Sequence, residues 1–214
     1  AFEDLLAMGV SGIICVPCDP TNIEKYLQWI ETGVPIVFME RKLESVEFSN
    51  VVFNNQRLVF EKTKELLGRF QPHDLALVIG PRQFTSEQDC ARGYIDAIKV
   101  NYPDIEASEL RIIEISHEKK RAMLKILKEF ETKNSLPKCV IFSSTEGAEI
   151  FSEIQYFMGQ ETTVYALSGD IWSTAKRGVG PIRFIPREAY RMGQTASEML
   201  IRFIKNGKLE ENRD

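Results

Sequence analysis

The chain has 214 residues, of which 43% are hydrophobic and 27% are charged, and its formal net charge is -4. A chain of this length can bury one large hydrophobic core or two smaller ones. Nucleic-acid-binding modules usually carry a clustered basic surface, so the acidic balance argues against direct DNA binding by these residues. The sequence has no run of about 18 apolar residues and therefore predicts no transmembrane helix.

The first residues, AFEDLLAMGVSG, are acidic and amphipathic, and a secretory signal would be cationic and then apolar. They are typical of a helix, so we expect the chain to be an N-terminally truncated part of a longer protein. The cysteines are too few for a disulfide framework in a chain of this length, which predicts reduced thiols and a cytoplasmic location. They are Cys15, Cys18, Cys90 and Cys139.

Short β-branched strands alternate with amphipathic helices along the first third of the chain. In NIEKYLQWIETG, the residues Ile23, Tyr26, Leu27 and Ile30 form one helical stripe, and Gly33 is a typical stop. The predicted segments are, in order, a strand in GVSGIICVP, the helix just named, a strand in VPIVFMER, an extended piece in VEFSNVVFNN and a helix in QRLVFEKTKELLGRF.

The same alternation repeats after Pro72. The predicted strands are HDLALVIGP, LRIIEIS, KCVIFSS and TTVYALSGD, with GPIRFIP as a further extended segment. The predicted helices are SEQDCARGYIDAIKVNYP, EKKRAMLKILKEFE, TEGAEIFSEIQYFMG and EAYRMGQTASEMLIRFIKNG. Such alternation indicates an α/β fold in which helices cover both faces of parallel sheets.

The positions of turn-forming proline and glycine residues indicate two lobes. Pro72 and the GVGP stretch at residues 178–181 mark the expected boundaries. We expect an N-terminal lobe of residues 1–71 plus 186–206, a C-terminal lobe of residues 72–185 and a tail of residues 207–214. Open α/β sheets bind ligands at the carboxyl ends of their strands, so the loops that follow the strands are the candidate binding surface.

Several of these segments resemble the effector-binding core of the lactose/galactose-repressor (LacI/GalR) family of transcription regulators. GVSGIICVP resembles the family's strand of small residues ending in proline, and VPIVFMER resembles its strand ending in Asp-Arg. LALVIGPRQFTSEQDCARGYIDAI is similar to its strand, Gly-Pro loop and helix with a Gly-aromatic pair, here Gly93-Tyr94. PREAYRMGQTASEML resembles its final helix.

The resemblance implies a two-lobed, periplasmic-binding-protein-like fold with a small ligand between the lobes. It also implies a helix-turn-helix head and a first strand-helix-strand unit that precede this chain, together with a homodimer that reads palindromic DNA. Apolar helical positions that could serve the dimer or the core are Phe151, Ile154, Phe157 and Met158.

The resemblance also places individual residues at the ligand. Glu40 falls where the family often has an aspartate that faces the ligand, and Asn54 falls where an aspartate is common. Asp170 falls near the family's Gly-aromatic-Asp-Asp turn. Cys90 falls where the family usually carries an arginine that grips sugar hydroxyls or a carboxylate, and Arg92 would lie about 200° around the helix from it.

Residue chemistry points to the same loops. Polyol binding needs planar carboxylate and amide groups that make paired hydrogen bonds, and an aromatic face that covers the ring. Arg187, after Pro186, and Arg82, after Gly80 and Pro81, are candidate anion contacts, although a solvated surface position is the alternative. The predicted ligand-binding residues are Glu40, Phe84, Ser86, Cys90, Ser144, Asp170, Trp172 and Arg187.

Other chemistries find less support. Cys15 and Cys18 form a CxxC motif at a strand end, as in thioredoxin-like sites, but four residues separate the pair from the predicted helix. The remaining cysteines and His73 and His117 offer no zinc spacing, so we expect no metal and no cofactor. The sequence has no P-loop, GxGxxG, GxSxG or HExxH, and no partner for general acid-base work is evident, so we expect no enzyme.

The sequence therefore predicts the ligand-sensing domain of a bacterial DNA-binding regulator that binds a small, sugar-like metabolite and controls DNA binding allosterically. Sugars, sugar phosphates, nucleobases and amino acids remain open as ligand classes. The alternatives are a solute-binding protein of an uptake system, a sensor domain of another signalling protein, or an enzyme on the same fold. We expect no contact with a membrane.

Overall fold

The computed structural model describes residues 2–19, 22–43, 49–116, 118–132, 136–158, 162–168 and 182–206. Its α-helices are α1 (Phe2–Ala7), α2 (Ile23–Glu31), α3 (Asn55–Leu67), α4 (Thr85–Asn101), α5 (Lys119–Thr132), α6 (Thr145–Met158) and α7 (Ala189–Asn206). Its strands are β1 (Ile13–Cys15), β2 (Ile36–Met39), β3 (Asn50–Val51), β4 (Leu75–Ile79), β5 (Ile112–Glu114), β6 (Cys139–Phe142), β7 (Thr163–Ser168) and β8 (Ile182–Pro186). Short 3₁₀ turns at Pro72–Asp74 and Ala107–Glu109 precede β4 and β5.

The strands form two parallel sheets, which confirms the predicted α/β class. The first sheet has the order β1-β2-β3, and the second has the order β5-β4-β6-β7-β8. Every strand pair described is parallel. No helix within the described ranges combines the length and the apolar character that membrane crossing requires.

The chain divides into two compact units. The first unit contains residues 1–53, 83–86 and 188–214, and the second contains residues 54–82 and 87–187. This division differs from the expected lobes, because α3 belongs to the second unit instead of the N-terminal lobe. The physical reason is that Val59 and Leu66 of α3 pack in the same buried cluster as Leu75 and Leu77 of β4.

The second unit owes its core to strands that are apolar on both faces. In β4, Leu75, Leu77 and Ile79 lie in the cluster that includes residues of α3 and α4. The alternate residues Ala76 and Val78 lie in the cluster on the α5 and α6 side. Strands β6 and β7 alternate in the same way, as a parallel sheet covered on both faces requires.

The first unit has a smaller core. Ile13 of β1, Ile36 and Phe38 of β2 and Tyr26 of α2 are buried together on one face of the sheet, and α7 packs against all three strands of the same sheet. Tyr26 makes edge-to-face contacts with Trp29 and Phe38, with ring centroids 5.2 and 5.6 Å apart. Asn22 caps α2 by accepting a hydrogen bond from the Lys25 backbone N–H.

Candidate functional site

The carboxyl ends of β4, β6, β7 and β8 share one edge of the second unit because these strands are parallel. At this edge Arg187 follows β8. Its backbone N–H donates to the Ser168 carbonyl at the end of β7, at 2.8 Å. Its Nη2 donates to the Ser143 carbonyl after β6, also at 2.8 Å. The half-buried guanidinium therefore crosses the end of β7 and ties three strand ends together.

Ser144 directly follows Ser143, whose carbonyl accepts the hydrogen bond from Arg187. Its Oγ accepts a hydrogen bond from the Gly147 backbone N–H at 3.2 Å, so it caps the N-terminus of α6. The Ser144 side chain is exposed, whereas Ser143 is buried. An exposed hydroxyl beside a helix N-terminus is a suitable hydrogen-bonding group for a polar ligand.

Glu87, in the first turn of α4, supplies a carboxylate at the same edge. Its Oε2 accepts a hydrogen bond from the Gly80 backbone N–H after β4, at 2.8 Å. A charge-assisted bond of this kind fixes the carboxylate against the strand end. Nothing in the sequence singled out Glu87 or the backbone of Ser143 and Ser168, since their roles depend on which strand ends become neighbours.

Cys90 lies one turn beyond Glu87 on α4 and is fully buried in the core of the second unit. Burial raises the pKa of its thiol well above the usual range, the charge of Glu87 raises it further, and the guanidinium of Arg187 opposes this rise. The charges of Glu87 and Arg187 are therefore both close enough to Cys90 to affect the pKa of its thiol. Cys90 itself exposes no surface in this structure, and its role as a ligand contact stays a prediction.

Arg82 and Glu114 extend the edge on its other side. Glu114 accepts a hydrogen bond from the Arg82 backbone N–H at 3.2 Å, and the Arg82 Nε lies 3.7 Å from its carboxylate. The Arg82 side chain is about half exposed, at 52%. This is a surface ion pair, which agrees with the solvated alternative for Arg82.

In the first unit, the carboxyl ends of β1 and β2 share one edge because these strands are parallel. Glu40 follows β2 with φ of 66°, and it alone among the described non-glycine residues has a positive φ. Its backbone N–H donates to the Val51 carbonyl at 3.0 Å, so pairing with β3 holds this conformation. Left-handed non-glycine residues are strained and concentrate at functional sites.

The loop after Glu40 is tied to the segment of residues 83–86. Thr85 Oγ1 accepts a hydrogen bond from the Lys42 backbone N–H and donates to the Lys42 carbonyl. The guanidinium of Arg41 lies 4.0 Å from the centroid of the Phe84 ring, and its Nη1 donates to the Pro17 carbonyl at 3.0 Å. Phe84 is buried under this cation, and the predicted contact Ser86 is half-buried at the start of α4.

The remaining predicted residues have varied outcomes. Asp170, Trp172 and His117 lie outside the described residues, as do the side chains of Ile154, Phe157 and Met158. Phe151 and Cys139 are both fully buried in the core of the second unit. The side chain of His73 is exposed beside Asp74. Within the described ranges, no cluster of three or more histidine, cysteine or acidic side chains could hold a metal ion.

Several known transcription regulators share this arrangement of strands and helices. The Cra dual regulator of Pseudomonas putida in complex with fructose 1-phosphate is 15% identical, with a TM-score of 0.78 over 98% of this chain and 77% of that one. CcpA of Lactococcus lactis is 16% identical, with a TM-score of 0.79 over 99% and 76%. The chain has the fold of LacI-type regulators.

A third structure, the CelR–cellobiose complex, is 17% identical to the chain, with a TM-score of 0.80 over 99% of this chain and 64% of that one. The sequence matches no protein-family model and no curated protein. The LacI-type fold therefore rests on three-dimensional similarity at identities below a fifth, which agrees with the fold that the sequence motifs implied.

Proposed function

We propose that this chain is the ligand-sensing domain of a DNA-binding transcription regulator, and that a small polar metabolite binds at the strand-end edge of the second unit. The observation that carries the proposal is Arg187, which joins the ends of β6, β7 and β8, where the exposed Ser144 directly follows its partner Ser143. The ligand would contact the guanidinium and this hydroxyl. Glu40, Phe84, Ser86, Cys90, Asp170 and Trp172 stay predicted contacts.

The similar structures support a sugar-like ligand. The Cra and CelR structures contain fructose 1-phosphate and cellobiose, respectively. Arginine donates paired hydrogen bonds to phosphate or carboxylate oxygens and single bonds to sugar hydroxyls. A sugar or sugar phosphate is therefore the first class to test, and ligand binding would change the affinity of the whole protein for operator DNA.

The direct test is calorimetric titration with one panel each of sugars, sugar phosphates, nucleobases and amino acids. We expect saturable binding of one sugar or sugar phosphate, weakened at least about ten-fold by Arg187→Gln, because a charge-assisted hydrogen bond contributes about 1.5–3 kcal/mol. Arg191→Gln is the matched control, since Arg191 is an exposed arginine of α7 paired with Glu188. If no compound of any panel binds, the ligand-sensing proposal is refuted.

The regulator and the solute-binding alternative differ in what the gene encodes before Ala1. A helix-turn-helix segment, with ligand-dependent binding of the whole protein to DNA, is the expected result. A cationic segment followed by an apolar one would instead favour an exported solute-binding protein. Turnover of the bound compound would favour an enzyme on this fold.

A further inference from the structure

The CxxC motif lies where β1 leaves the first sheet. Cys15 is the last residue of β1 and is half-buried, whereas Cys18 is exposed. The Cys18 thiol donates to the Val16 carbonyl at 3.6 Å, so its side chain folds back toward the strand end. The exposed sulfur therefore lies over the residue that immediately follows Cys15.

The four thiols of the chain fall into two pairs of different accessibility. Cys90 and Cys139 are fully buried in the second unit, and burial raises the pKa of the Cys139 thiol to about 12. In the first unit, burial raises the pKa of Cys15, and the proximity of Cys18 raises it further. Cys18 is the most exposed of the four thiols, so it is the one that solvent-borne reagents reach most readily.

We propose that Cys18 is a site of reversible modification by low-molecular-weight disulfides, and that Cys15 resolves the adduct into a Cys15–Cys18 disulfide. The Cys18 thiolate attacks one sulfur of the disulfide RSSR, the S–S bond breaks, and one RS⁻ leaves and takes up a proton. The Cys15 thiolate then attacks Cys18 Sγ, and the second RS⁻ leaves and is protonated. Two protein thiols are oxidised by two electrons as RSSR becomes two RSH.

The loop between the two cysteines connects this chemistry to Arg41. A disulfide requires Cα atoms about 4.4–6.8 Å apart, so residues 15–18 must close into a tight turn, and the Cys18 contact with Val16 is lost. The Pro17 carbonyl inside this loop accepts a hydrogen bond from Arg41, whose guanidinium stacks on Phe84. The Arg41 bond therefore stabilises the loop conformation of the reduced chain.

The test incubates the folded chain with graded ratios of oxidised to reduced glutathione, quenches with acid, alkylates the free thiols and locates each modification by mass spectrometry. The mass of the native chain is expected to fall by that of two hydrogens. Only Cys15 and Cys18 are expected to escape alkylation, because they form the disulfide. Cys15→Ser is expected to accumulate a glutathione adduct at Cys18, and Cys18→Ser is expected to stay reduced under the same conditions.

Cys15→Ala provides a second variant for the half-buried position, and circular dichroism verifies that each variant is folded. The proposal is overturned if the native chain keeps four free thiols under an oxidising ratio, or if the Cys15 and Cys18 variants react alike. Neither outcome depends on ligand binding, so this inference stands or fails independently of the proposed function.

A separate measurement tests whether Arg41 affects the dithiol–disulfide equilibrium of Cys15 and Cys18. Arg41→Gln is expected to move the dithiol–disulfide equilibrium about five-fold toward the disulfide, the effect of losing one hydrogen bond that favours the reduced loop. Arg191→Gln, on the exposed surface of α7, is the matched control and should leave the equilibrium unchanged. An Arg41→Gln equilibrium equal to that of the native chain would overturn the coupling.

Discussion

At the scale of single residues, Glu40 shows how a strained backbone can mark a binding position. A residue with φ of 66° is disfavoured for any side chain with a Cβ, and glycine relieves the strain. The structure nevertheless has a glutamate there, at the end of β2. This is the position that the sequence predicted to face the ligand, and the prediction remains to be tested by binding.

We predict that Glu40→Gly changes the free energy of unfolding by less than about 1 kcal/mol, because relief of strain offsets the greater entropy of the unfolded chain. Glu40→Val should destabilise the chain by about 1–2 kcal/mol, since a β-branched residue fits the left-handed region poorly. Urea denaturation measures both. Equal destabilisation by the two variants would show that the carboxylate, and not the backbone, determines stability at this position.

At the scale of secondary-structure elements, helices α3 and α4 approach closely at Gly93. A Cβ built on Gly93 would lie 2.1 Å from the Gln56 carbonyl oxygen and 3.0 Å from its carbon. Both atoms belong to the backbone of α3, so no side chain can move aside. Gln56 Nε2 also donates to Asp96 across the same pair of helices, at 2.9 Å.

Gly93→Ala is therefore expected to destabilise the second unit by about 3 kcal/mol, the upper range for overpacking a well-packed interior. Gly193→Ala is the matched control because Gly193 is also helical, but a Cβ added to it would meet no atom within 4 Å. That control should gain about 0.5–1 kcal/mol from the better helix propensity of alanine. Thermal and urea unfolding measure the stability change of both variants. Similar changes in the two would contradict the close approach of α3 and α4 at Gly93.

The elements themselves were predictable from the sequence pattern, because most strands are short apolar runs and the longer helices carry an apolar stripe. The unit to which an element belongs was not predictable in the same way. The stripe of α3 with Val59 and Leu66 fits either sheet, and only its packing against β4 assigns it to the second unit. The carbonyl partners of Arg187 depend on the order of β6, β7 and β8, which local sequence does not encode.

At the scale of the whole molecule, the two units have separate cores of unequal size. The second sheet is covered on both faces, and its strands β4, β6 and β7 are paired on both sides. In the first sheet the described pairing leaves β1 bonded to β2 alone, and Ile14 of this strand is 39% exposed. Local opening should therefore cost less free energy in the first unit.

Hydrogen exchange detected by mass spectrometry tests this difference. We expect the slowest exchange in β4 and β6 and faster exchange in β1, because buried strands that are paired on both sides open only when their unit unfolds. Gly93→Ala should accelerate exchange in β4 and β6 much more than in β1 and β2, since its clash lies within the second unit. An equal acceleration in both sheets would show that the chain opens as one cooperative unit, contrary to the division into two.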